Sequence, residues 1–166
     1  MTFDNSKTII SLRIRIFIAT ILLLGYIFLS YVIKMIKFPM LGMGDTFWTV
    51  VLVSIYLILA FYPMALNYQY IYYSDDGDFI IIRYFAAGIV SGKKNSIEID
   101  KGSFAGYKKE SEFFGLDQSV ILYQRIAQGV AKYPPVHISI LNRKERTKVL
   151  SSLYLHTPKD ATEVKK

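Results

Sequence analysis

The residues of this chain with chemical potential are few and widely spaced. His137 lies in an alternating strand pattern and His156 near the end of a helical one, and neither has Asp or Glu at the spacings that complete a metal site. Asp75, Asp76 and Asp78 around Gly77 have the start of a calcium loop. Its twelfth position, where a bidentate acid belongs, is Ala86, so the segment reads as a turn. Glu98 and Asp100 share one strand face opposite Ile97 and Ile99, an arrangement that suits a solvated face better than general acid and base work. No serine sits in a nucleophile elbow, no glycine-rich loop opens a helix with a lysine, and there is no cysteine at all. The expectation is a chain with no catalytic, metal or cofactor residues of its own.

The more informative residues are cations. Arg13, Arg15, Lys93, Lys94, Lys108 and Lys109 are candidate contacts with an anionic membrane surface, set against the plainer reading of lysines that keep a small domain soluble. The formal charge of +7 divides almost evenly, with five basic and two acidic residues before position 67 and fifteen and eleven after it. A basic pI near 9.5 with no basic and aromatic motif argues for cationic flanks of a membrane protein, not for nucleic acid.

These cations need elements to hold them, and the elements begin with two apolar runs. Residues 16–33 read IFIATILLLGYIFLSYVI and residues 47–66 read FWTVVLVSIYLILAFYPMAL, neither with a charge. Each is close to the roughly 20 residues that cross a bilayer core of about 30 Å. Phe47, Trp48, Tyr31 and Tyr62 near the ends and Lys34 and Lys37 beyond them are interface anchors. The short connection carries Pro39, Gly42 and Gly44, so the two spans form a hairpin. The greater basic total lies with the termini and places both of them, and everything after residue 66, in the cytoplasm. With no ionisable group inside either span, transport by a single copy is not expected; Thr20, Ser30, Thr49 and Ser54 bond back to their own helix or across to the other.

From Asn67 the period changes to that of strands: Tyr68 to Ser74, then Phe79 to Ala86 after the acidic turn, Ser96 to Asp100, a short Phe104 to Tyr107, then a polar Lys108 to Gly115, Gln118 to Ile126, and Val136 to Leu141. Asn142 and Glu145 then form a capping-box pattern ahead of Val149, Leu150 and Leu153, an amphipathic helix over 143–155. The domain plan is an N-terminal segment and transmembrane hairpin at 1–66, a sheet domain at 67–156 and a flexible tail at 157–166.

The strand YYSDDGDFIIIRY, the basic turn SGKKNS, the strand IEID and the passage from HISIL into the helix NRKERTKVLSSLYL resemble the bacterial pleckstrin-homology-like domains attached to two-helix membrane hairpins. The resemblance covers about residues 67–156 and rests on element order and turn placement. It implies an α+β membrane protein of the bacterial inner membrane, in which a PH-like antiparallel sheet or barrel is capped by a C-terminal helix. It also implies a scaffold for contacts instead of catalysis. Three functions follow as expectations: a module that binds a membrane or cytoplasmic protein partner, a reader of anionic lipid head groups, or an accessory subunit of a membrane enzyme or transporter.

Overall fold

In a computed structural model of the chain, residues 1–87 and 92–158 are described. Helix α1 (Ser6–Ile27) runs on through a π-helical turn at Phe28–Val32, and α2 is Asp45–Ala65. At 27 and 21 residues they measure about 40 and 31 Å. Both are long and apolar enough to cross a membrane. Their apolar side chains face outward, Phe17, Leu22, Val32 and Ile58 each about two-thirds exposed, an arrangement stable in lipid and costly in water.

Of the four hydroxyls expected to bond inside the hairpin, the two threonines do both things, while Ser30 Oγ is buried with no hydrogen-bond partner among the described residues. Thr20 Oγ1 donates to Ile16 O at 2.9 Å and lies 3.1 Å from Tyr56 Oη. Thr49 Oγ1 donates to Asp45 O at 2.9 Å and meets Tyr31 Oη at 2.8 Å. Each threonine thus satisfies its own helix and stitches it to the other. At the turn, Trp48 Nε1 donates to Met40 O at 3.2 Å.

Helix α1 starts ten residues before the uncharged run, so Arg13 and Arg15 are helical. Ahead of it lies a strand that the sequence does not announce. β1 (Thr2–Asp4) pairs antiparallel with β2 (Gln69–Ser74), Phe3 opposite Tyr73. Asn5, 2% exposed, continues the ladder with its side chain: Oδ1 accepts from Ile71 N at 2.9 Å and Nδ2 donates to Gln69 O at 2.9 Å. Residues 2–5 therefore belong to the sheet, and the hairpin is the connection between its first two, directly paired strands.

β3 (Phe79–Ala86) and β4 (Asn95–Asp100) complete a four-stranded sheet in the order β1-β2-β3-β4. The acidic turn between β2 and β3 needs Gly77, whose φ of 70° suits a residue without Cβ. Alternation sends Ile71, Tyr73, Ile80, Ile82, Ile97 and Ile99 into the core. A second antiparallel sheet holds β5 (Phe104–Glu112), β6 (Asp117–Ile126), β7 (Gly129–Lys132) and β8 (Val136–His137), with β7 and β8 both on β6. It adds Phe104, Val120, Leu122 and Val136 to the same core.

Besides β7, a four-residue strand that the sequence reading did not name, two strands end elsewhere than expected. β5 continues through Lys108–Glu112, read from sequence as a polar connection, because cross-strand partners such as Ile121 and Ser119 on β6 hold an edge strand whose own residues are polar. The strand expected at Val136–Leu141 stops at His137. There Ile138 N turns to Gln118 O at 2.7 Å and Leu141 N to Ile138 O at 3.1 Å. The final helix α3 (Arg143–His156) has its capping box, with Glu145 N donating to Asn142 Oδ1 and Asn142 N to Glu145 Oε2, both at 2.9 Å. It buries Val149, Ser152 and Leu153, with Tyr73 Oη 2.7 Å from Ser152 Oγ. Asn142→Ala is expected to cost about 1 kcal/mol, read as a lower midpoint in denaturant. The tail from residue 159, and the part of the SGKKNS turn at residue 91, lie outside the described residues.

Candidate functional site

Because β1 leads into α1 and α2 leads into β2, both helices join the same end of the first sheet. That end gathers the start of β2, the end of β3 (Ala87 N donates to Tyr68 O at 2.8 Å), the β5–β6 turn and residues 137–140. At its centre is Asp117, 2% exposed. Oδ2 accepts from Asn67 Nδ2 at 2.9 Å; Oδ1 accepts from Ser139 Oγ at 2.8 Å and lies 2.9 Å from His137 Nδ1. Burial pushes this carboxyl up, but the hydrogen bonds from Asn67, His137 and Ser139 together outweigh it and leave it below its ordinary value.

Asp, His and Ser in one cluster invite comparison with a nucleophile and its base. The connectivity is different. Ser139 donates to the carboxylate and not to the imidazole, and among the described residues no hydroxyl meets His137 Nε2. A serine held by a carboxylate is not activated as a nucleophile by the histidine. The cluster ties Asn67, two residues past the end of α2, to β6, to β8 and to the segment entering α3. Arg146 extends it, donating to Gln118 Oε1 at 2.8 Å and to the carbonyls of Ser139 and Leu141 at 3.2 and 2.9 Å.

The acidic turn lies at the other end of the sheet. Asp75 binds the amino group of Met1 and Ser152 Oγ, with His156 Nε2 at 3.6 Å, and Asp76 binds the same amino group and Thr2 Oγ1. Lys101 Nζ donates to the carbonyls of Asp75 and Gly77 at 2.7 and 2.6 Å. The turn is fastened by cations and hydroxyls, and among the described residues no three His, Asp or Glu side chains are placed to hold a metal. Glu98 meets Arg83 at 3.8 Å on the exposed face, and Asp100 Oδ1 accepts from Gly102 N at 2.8 Å.

The six cations singled out from sequence fall into separate places. Arg13 and Arg15 are two residues apart on α1, hence on different faces, and Arg15 alone lines a crevice of about 590 Å³ between α1, the end of α2 and Ile140. Lys93 and Lys94 precede β4 at the helix-bearing end, since Asn95 pairs with Tyr84 and Ala86 with Gln69. Lys108 and Lys109 sit mid-strand on opposite faces, with Lys108 Nζ 2.9 Å from Glu110 Oε1. They are strand residues, not turn residues.

Several members of this end carried no signal in the sequence reading. Asn67 is an ordinary polar residue at the start of the strand-rich part, Ser139 fell within the strand expected at Val136–Leu141, and Asp117 stood at the head of an apolar strand, where an acid is commonly exposed. Phe113, Phe114 and Leu116 form an exposed β5–β6 turn, with Phe113 and Phe114 both left-handed at φ of 48° and 57°. That backbone costs about 1 kcal/mol at each residue, and the turn is one residue from Asp117, itself bonded to the exit of α2. A run of apolar residues between polar ones was the available clue. No family model, no curated protein and no solved structure matches this chain.

Proposed function

We propose that the protein is a membrane-anchored interaction module. In this reading a PH-like sheet domain is held at the cytoplasmic face of the bacterial inner membrane by the helical hairpin, binds an extended segment of a protein partner, and performs no chemistry itself. The order of a four-stranded sheet, a second antiparallel sheet and a closing helix supports the PH-like assignment. The basic residues around the termini support the orientation. The observation that carries the reading is the outer edge of β5: β6 pairs on one side, no strand pairs on the other among the described residues, and α3 packs beside it. A nine-residue edge next to a helix that exposes Tyr154 and Leu155 offers backbone hydrogen bonds for affinity and side-chain contacts for selectivity to an added strand.

The test uses full-length chain in native membranes with a photo-crosslinking residue at Lys109, at Tyr154 or at Ile58 on the lipid-facing side of α2. The expected result is one protein captured from both Lys109 and Tyr154 and retained at about 0.5 M salt, where surface electrostatics are screened. Capture from Ile58 alone overturns the reading in favour of an accessory subunit bound through its spans. Salt-sensitive capture of lipid alone from Lys109 overturns it in favour of a lipid reader.

A further inference from the structure

The crevice between the hairpin and the sheet domain has walls of two kinds. Leu12, Ile16 and Leu59 line it on the side of the spans, while Lys7, Ser11 and Arg15 run along α1 at intervals of one helical turn. Lys7 and Arg15 are separated by about 12 Å of helix rise. This α1 surface stands where head groups would be. The uncharged run begins at Ile16, and a helix of 27 residues exceeds the ~20 needed for the hydrocarbon core, so its first turns project into the polar layer.

Both cations are exposed, and among the described residues neither forms an ion pair with a carboxylate. Asp4, close enough to Lys7 to feel its charge, has its Oδ1 occupied by the hydroxyl and backbone N–H of Ser6. Lys108, by contrast, has Glu110 within 2.9 Å. At the far side of the crevice the Tyr62 and Tyr68 rings meet edge to face at 5.9 Å. An opening with an apolar wall continuous with a membrane span, and with two cations and hydroxyls above it, matches an amphiphile better than a soluble anion.

We propose that this crevice seats the phosphate of an anionic membrane lipid between Lys7 and Arg15, with the first methylenes of an acyl chain against Leu12, Ile16 and Leu59. The inference rests on the hairpin spanning the bilayer with the sheet domain at the inner leaflet, and goes beyond the partner-binding reading by assigning a ligand to the junction itself. Bound there, the singly charged phosphodiester relieves the repulsion between two like charges, and the lipid fills the gap between hairpin and domain.

The experiment is native mass spectrometry of the full-length chain in mild detergent, titrated with phosphatidylglycerol, with phosphatidylcholine, or with glycerol 3-phosphate. One phosphatidylglycerol is expected to be retained per chain, in preference to phosphatidylcholine. The double variant Lys7→Gln/Arg15→Gln is expected to weaken it about thirtyfold, while Lys108→Gln leaves it unchanged and the charge-keeping Lys7→Arg/Arg15→Lys retains it. That last variant separates loss of charge from loss of fold. Equal retention of both lipids, or undiminished binding in the double glutamine variant, overturns the proposal. Displacement of phosphatidylglycerol by equimolar glycerol 3-phosphate also overturns it and makes this a site for a soluble phosphate ester. The orientation is checked separately, since the chain contains no cysteine: an impermeant maleimide added to intact cells is expected to label Lys37→Cys and not Lys132→Cys. The reverse pattern removes the membrane placement, and the partner reading with it, whatever the lipid titration gives.

Discussion

Asp117→Ala is expected to destabilise the folded chain by about 3 kcal/mol, the typical cost of leaving the partners of a buried, hydrogen-bonded charge without it. The substitution strips an acceptor from Asn67 Nδ2, His137 Nδ1 and Ser139 Oγ together. For a chain of this size that corresponds to a fall of about 6 to 12 °C in melting temperature, measurable by thermal denaturation in detergent. The pH dependence has a definite sign. The Asp117 carboxyl is held below its ordinary value of 3.8 in the folded chain, so its contribution is fully present above that value and is lost as pH falls through the folded pKa. The gap between parent and variant is expected to stay constant from about pH 8 to pH 5 and to narrow only below the ordinary carboxyl range. A gap that already closes between pH 7 and pH 5 would show that a group other than this carboxylate carries the junction.

The second large effect is expected at Asn5. Its amide takes the place of a fourth residue in β1, satisfying the N–H of Ile71 and the carbonyl of Gln69 where the chain leaves the sheet to begin α1. Asn5→Ala leaves the buried N–H of Ile71 without that partner, at about 1 to 3 kcal/mol, and removes a donor from the part-buried carbonyl of Gln69. Hydrogen exchange localises the damage: protection of the Ile71 amide is expected to drop about a hundredfold, with little change at Leu122 in the second sheet. Uniform loss of protection across both sheets would mean that Asn5 supports the whole domain and not the seam between β1 and β2. This seam also bears on the partner reading, because a domain fastened on both sides of the hairpin is held in one orientation relative to the bilayer.

The sequence reading and the structure agree where structure is local. The uncharged runs at 16–33 and 47–66 are windows long enough to set a membrane-length apolar helix by themselves, and α1 with its π-helical turn and α2 contain nearly all of both. The acidic turn with Gly77, the β3 strand from Phe79 to Ala86 and the Asn142–Glu145 capping box are all short-range devices, and each lies where its residues put it. Ile97 and Ile99 face the core because alternation on a strand is a property of neighbouring residues.

The disagreements have a common cause. β1 is too short for any period to show, and it exists because Tyr72, Tyr73 and Ser74 offer it a ladder about seventy positions away. β5 runs through five polar residues because β6 supplies backbone partners, which side-chain polarity does not reveal. β8 ends after His137 because Gln118 and Ser139 redirect the chain. Lys7, one of the basic residues ahead of the first apolar run, lines a crevice because the end of α2 and Ile140 come to lie opposite it.

By itself, then, the amino-acid sequence determined the two apolar helices, the turn between them, the strand-rich remainder and the capped final helix, since each depends on hydrophobic length or period within a window of some twenty residues. Only the tertiary structure decided that Asn67, Asp117, His137 and Ser139 meet, that Asn5 is a sheet residue, and that Lys7 and Arg15 share an opening while Lys108 and Lys109 part. Those contacts form when two sheets close on one core and both helices attach at the same end, and the free energy that selects them is spread over residues far apart in the chain.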